Sequence, residues 1–156
     1  MNIMQNSNLP ASLRLLFNNP FLEMMNVLLV INAFSKRSGL NIRHILFYYS
    51  VAVSDIELPS LEKNENKYDS LDNENIYFDI QRQIKNILIN LYSQNYISIS
   101  QEKNDNYMCS ITTEGKEIVA QLESSYFKKM QEKINLIKEQ IKYSVEAEKF
   151  IMGVKK

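Results

Sequence analysis

The sequence has little of what most enzyme chemistry needs. Among 156 residues there is one cysteine, one histidine and no tryptophan. A lone Cys109 cannot close a disulfide within the chain, and a lone His44 cannot build a histidine metal cluster. Gly39, Gly115 and Gly153 stand apart from one another, so no glycine-rich loop exists to cradle a phosphate. An excess of charge of either sign is missing as well. Lys and Arg total 18 and Asp and Glu total 18, a balance that argues against affinity built on phosphate neutralisation. The most apolar stretch, Met24–Phe34, is interrupted by Asn26 and Asn32 and is shorter than the roughly 20 apolar residues of a membrane span. Met1–Asn8 carries no Lys or Arg and does not read as a secretory signal, so the expectation is a cytoplasmic chain with no membrane contact.

What remains is the composition of a globular chain with a core, 45 % hydrophobic and 23 % charged, at the length of one domain. Asn19-Pro20 reads as an N-cap followed by a first helical position, where proline loses no hydrogen bond. Phe21–Phe34 is apolar almost all round, the pattern of a buried central helix. A second helix is predicted over residues 41–54, with Ile42, Ile45, Leu46, Tyr49 and Val53 on one stripe. Residues 55–75 hold seven acids against two lysines, a local charge of −5, and read as a solvated loop. A third helix is predicted over 76–94, its core face set by Ile80, Ile84, Ile87, Leu88 and Leu91. The period then falls to two residues. Tyr96–Gln101 and Tyr107–Thr112 are expected to form a hairpin with Lys103-Asn104-Asp105-Asn106 at its tip.

Thr113 is the expected cap of a last helix. No Gly or Pro interrupts 116–152, which predicts a single rod of nearly 40 residues, about 60 Å long. Such a rod outruns a small domain. Its stripe Ile134, Ile137, Ile141 and Val145 is therefore expected to pack on another chain, a second copy or a coiled-coil partner. On this reading Ile137→Asp with Ile141→Asp would abolish assembly and spare the core. The expected organisation is an N-terminal segment 1–19, a domain 20–125 and a helical extension 126–156.

The fold class is mainly α with a small β-hairpin, α+β. Three helices and a hairpin follow the order of a winged helix-turn-helix, here with a long C-terminal helix. Leu91-Tyr92-Ser93-Gln94-Asn95-Tyr96-Ile97 resembles the passage from recognition helix to wing in that superfamily, and Ile111-Thr112-Thr113-Glu114-Gly115-Lys116 resembles its exit. In DNA-reading versions the third helix enters the major groove. Here the face opposite its core stripe offers Phe78, Arg82, Lys85 and Ile89. Two cations share that face with two large apolar groups, a mixture that fits a protein contact better than base reading. The hairpin tip carries Glu102 and Asp105 against Lys103, where MarR-like regulators carry an arginine.

The other chemistry-bearing residues have structural readings. His44 is assigned to a surface or capping place, Cys109 to the core as a small hydrophobe, and Phe47-Tyr48-Tyr49 to packing rather than base stacking. The acids of 55–75 lack the spacing and the glycine of a calcium loop. No metal, cofactor or catalytic residue is expected.

Leu16-Phe17-Asn18-Asn19-Pro20-Phe21, the apolar helix after it, and Ile45-Leu46-Phe47-Tyr48-Tyr49 before a variable acidic loop resemble the small middle components of ABC-three-component systems, the group that includes Lamassu anti-phage defence. That resemblance implies a non-catalytic winged-helix subunit that bridges or regulates an SMC-like, coiled-coil ATPase and an effector, and touches DNA through the complex. The alternative is a dimeric transcription regulator of the MarR or PadR kind that binds duplex DNA.

Overall fold

The Asn19 side chain accepts a hydrogen bond from the Leu22 N–H at 3.2 Å, so the first helix, α1 (Pro20–Phe34), starts where the Asn-Pro pair predicts. The computed structural model describes residues 19–34, 39–54, 70–103 and 106–152. Within them α1 is followed by β1 (Leu40–Asn41), α2 (Ile42–Val53), α3 (Ser70–Ser93), β2 (Ile97–Glu102), β3 (Asn106–Ile111), α4 (Thr113–Ala120), α5 (Ser125–Gln140) and α6 (Val145–Ile151). The architecture is mainly helical with one small antiparallel sheet, the α+β class the sequence predicts.

Val27 to Ile31 have almost no exposed surface, which makes α1 the buried axis of the domain. Helices α2, α3, α4 and α5 and strand β3 all pack on it. The α2 stripe is wider than predicted, since every residue from Ile45 to Val53 is buried. Its Ser50 hydroxyl is satisfied by the Leu46 carbonyl at 2.7 Å. Helix α3 presents Ile80, Ile84, Ile87, Leu88 and Leu91 to the core as expected.

Three boundaries differ from the sequence reading. Helix α3 starts at Ser70, so the end of the predicted 55–75 loop is helical; residues 55–69 lie outside the described residues. Strand β1 was not expected. It pairs antiparallel with β3, Leu40 opposite Cys109, which makes β3 the centre of a three-stranded sheet in the order β1-β3-β2. Asn41, just before α2, caps it through the Arg43 N–H at 2.7 Å. The helix after the hairpin is capped by Thr112 rather than Thr113, its hydroxyl accepting from the Gly115 N–H at 3.0 Å.

The largest correction concerns the C-terminal segment. The single rod does not form: residues 113–151 make three helices with breaks at 121–124 and 141–144. Serine, not glycine or proline, makes the breaks. The Ser124 side chain caps α5 through the Phe127 N–H at 3.4 Å, and Ser144 caps α6 through the Ala147 N–H at 3.0 Å. Helix α5 folds back onto α1 and α2, and α6 onto α2 and α3. Ile134, Ile137 and Ile141 therefore complete the core of their own chain, at 2 %, 0 % and 6 % exposure. Only Val145 of that stripe is at the surface.

The exit of α3 into the hairpin is fixed by backbone geometry. Asn95 takes a left-handed conformation, φ 65°, while the Tyr96 N–H donates to the Leu91 carbonyl and the Asn95 N–H to that of Tyr92, each at 3.0 Å. That is a Schellman end, which Asn tolerates. Thr112 then clips α4 to this turn, its hydroxyl donating to the Asn95 carbonyl at 2.6 Å. Gly115 allows the close approach, since a Cβ there would lie 2.2 Å from the Tyr96 carbonyl oxygen.

Two substitutions test this packing. Gly115→Ala pushes a Cβ into the Tyr96 carbonyl and is expected to cost about 1–3 kcal/mol, read by denaturant unfolding; an unchanged midpoint would refute the close approach. Ile137→Asp buries a charge and is expected to unfold the domain, in contrast to the sequence expectation of a folded core. Retention of the helical circular dichroism and a cooperative melt would return Ile137 to a projecting interface.

Candidate interaction surfaces and the clamped terminal helix

Of the face opposite the α3 core stripe, Ile89 is 57 % exposed, Lys85 is exposed and the Arg82 side chain stands in solvent, ion-paired to Asp79 one turn earlier. Phe78 is half-buried and packs at the core margin, its ring edge-on to Tyr77 at 5.4 Å. The face thus gathers three of its four predicted residues at the surface. Sequence reasoning missed Tyr92, 56 % exposed and one turn beyond Ile89. Its three-residue spacing from Ile89 is the signal that could have found it.

A second constellation holds the terminal helix. The Arg43 guanidinium grips the Glu148 carboxylate with both arms, Nε to Oε2 at 2.8 Å and Nη2 to Oε1 at 2.6 Å. The Tyr143 hydroxyl donates to the same carboxylate at 3.0 Å. Glu148 is 4 % exposed, and its hydrogen bond from Arg43 holds the carboxyl below its ordinary value. His44 is neither a cap nor fully on the surface. Its ring lies on Tyr143 at 4.1 Å, and burial lowers its pKa, so the imidazole is mostly neutral at pH 7. Phe47 and Tyr49 are buried as expected of packing residues. Tyr48 stacks on Phe34 at 3.9 Å, and its hydroxyl accepts from the Tyr143 N–H at 3.1 Å.

Between these groups, along β1, the start of α2 and the end of α5, runs an open groove of about 890 Å³. Cys109 is inaccessible at 0 % exposure, and burial pushes its thiol up to about 11, which makes it inert as a nucleophile. Among the described residues no three His, Cys, Asp or Glu side chains are placed to hold a metal ion, and no helix is long and apolar enough to cross a membrane. The hairpin tip at 104–105 lies outside the described residues, while Gln101, Glu102 and Lys103 beside it are exposed.

A third cluster is buried where α1, α2, α3 and α5 meet. Glu23 is 7 % exposed, and the Gln83 amide, turned to donate, reaches its two carboxyl oxygens at 3.0 and 3.3 Å. The Asn26 amide donates to the Tyr126 hydroxyl at 2.7 Å, while Asn26 Oδ1 and the Tyr49 hydroxyl are buried and have no partner among the described residues. Desolvation pushes the Glu23 carboxyl up from 4.5 to about 7. The folded state therefore holds this proton more tightly than the unfolded chain. The stability it contributes is complete below about pH 4.5 and is lost as pH rises through about 7. Glu23→Gln is expected to remove a pH-dependent loss of about 3 kcal/mol across that window, measured by urea unfolding at successive pH values. An identical pH slope in the variant would place the titration elsewhere. The Glu148 carboxylate acts in the opposite sense and at lower pH, so the two do not overlap.

No curated protein and no solved structure matches the chain. One family model does, over residues 14–149, which takes in every helix and strand described above except the last two residues of α6. The matched family is the ABC-three component (ABC-3C) system Middle Component 4, and the chain belongs to it.

Proposed function

We propose that the chain is a non-catalytic winged-helix accessory subunit that joins an SMC-like ATPase to an effector within an anti-phage complex. The observation that carries the proposal is the outer face of α3. Ile89 and Tyr92 lie one turn apart and more than half exposed on a helix whose other face fills the core. Paired exposed apolar groups on a rigid helix are the anchor chemistry of a protein contact. The order of three helices and a hairpin, with β1 closing on the central β3, supports the winged-helix assignment. Membership of a middle-component family supports the presence of other system proteins as partners.

The DNA-reading alternative has weaker support on this face. Arg82 is already engaged by Asp79, which reduces the charge left for phosphate.

The test is co-purification with the other components of the system. Ile89→Asp with Tyr92→Ser should leave the circular dichroism spectrum and melt unchanged, because both side chains face solvent. The same variant should weaken assembly by at least about 30-fold, the loss of one hot spot of about 2 kcal/mol. Unchanged assembly would place the interface elsewhere. Salt-sensitive duplex binding by the isolated chain, lost in Arg82→Ala with Lys85→Ala, would favour the regulator instead.

A further inference from the structure

We propose that Glu23 and Gln83 form a proton-operated catch that holds α3 on α1 while the carboxyl is neutral and releases it on ionisation. The catch rests on the reading of the outer α3 face as a protein contact, and it makes that contact respond to pH. Glu23 stands in the first turn of α1 yet is only 7 % exposed. Both its oxygens lie within reach of the Gln83 amide, a polar link between the two helices. Gln83 follows Arg82 and precedes the core residue Ile84, so it stands where the buried side of α3 meets its outer face.

No cation compensates this carboxyl. Tyr49 faces the cluster from α2 and Tyr126 from α5, and burial raises both hydroxyls, so neither ionises near neutrality. Helix α3 contributes the neutral Gln83, and among the described residues α4 and β3 bring no charge to bear on Glu23. Asn26, one turn further along α1, adds a buried oxygen that has no donor among the described residues. A carboxyl that keeps its proton suits these surroundings. A carboxylate would leave a charge buried with one neutral amide to hold it. Water is close by, because Pro20 and Phe21 at the helix start are exposed. The ionised carboxyl therefore turns outward and lets go of Gln83. Burial brings this carboxyl to about 7, so the release falls near neutrality and proceeds as pH rises. Helix α3 keeps its apolar packing but is held less firmly, and with it Ile89 and Tyr92.

The catch is read first in the full chain alone, by amide hydrogen exchange at about pH 6 and about pH 8, corrected for intrinsic rates. An opening of α3 that frees Glu23 is expected to lower protection of residues 80–91 about tenfold between these values, with little change in α2 and α5. Glu23→Gln, neutral and of the same shape, should abolish that dependence and keep the low-pH protection throughout. The Glu23 carboxyl carbon shift in the unsubstituted chain needs no variant and should titrate at about 7. A midpoint at the ordinary value of 4.5 would overturn the catch. So would α3 protection indifferent to pH, or a loss equally large in α2 and α5, which is global unfolding. Assembly with the other components of the system should weaken about tenfold over the same interval in the parent chain and stay level in Glu23→Gln. Assembly indifferent to pH, yet lost in Ile89→Asp with Tyr92→Ser, overturns the catch and leaves the contact face standing. Assembly untouched by that double variant removes the contact face instead, and the catch is then decided by the exchange data alone.

Discussion

A helix that is apolar on every side is stable in water only when every side is covered, and α1 imposes that constraint on the rest of the chain. Val27, Leu28, Leu29, Val30 and Ile31 occupy successive positions around one and a half turns, and none is more than 3 % exposed. Three helices of a small domain cannot enclose such an element by themselves. The fourth wall is supplied by α5, which returns along α1, and it is this demand that folds the C-terminal segment back instead of letting it project. Ile134 and Ile137 are consequently core residues of their own chain.

The return of α5 and the docking of α6 are secured by polar contacts at defined places. Lys133 reaches the Ser54 carbonyl at 2.9 Å, tying α5 to the C-terminal end of α2. Arg43 and Tyr143 converge on Glu148, tying α6 to the start of the same helix. The two ends of α2 thus hold the two terminal helices. Charge-assisted, bidentate geometry makes the second contact specific in orientation as well as in place. Where α5 stops and α6 has not yet begun, Ile141 and Ser144 have extended backbone, and the groove opens beside this break. The groove is therefore a consequence of how the long segment breaks. The cluster around Glu23 is the opposite case, a set of polar groups enclosed by the same packing, with two atoms unpaired among the described residues and one carboxyl whose pKa burial raises to about 7.

Once α1 is enclosed, few large apolar side chains are left exposed among the described residues, and their location is informative. Phe21 stands at the start of α1, Ile89 and Tyr92 on α3, Tyr107 on the hairpin, and Leu136 and Val145 on the returning segment. Single exposed hydrophobes are ordinary. The α3 pair differs because the two side chains are neighbours on one rigid face, beside Lys85 and the Arg82–Asp79 pair. Membership of a middle-component family implies partnering with other proteins of the system, and this pair is the apolar surface on which the proposed contact rests.

The sequence by itself determined those features that depend on neighbours along the chain. The Asn19-Pro20 start, the all-round apolarity of α1, the three- and four-residue spacing from Ile80 to Leu91 and the change of period into the hairpin are local signals, and each names an element correctly. Ser144 followed by Glu146 and Glu148 is a legible helix start as well, a serine cap that ends one helix and begins the next without glycine or proline. Tertiary structure decided the rest. Strand β1 is two residues long and exists only because β3 is there to pair with it. The stripe from Ile134 to Ile141 has the same spacing whether it meets a second chain or its own α1, since periodicity reports that a face is buried and not what buries it. The groove unites residues from 34 to 143, more than a hundred positions apart, and no local pattern links Phe34, His44 and Lys142 before the chain has folded back.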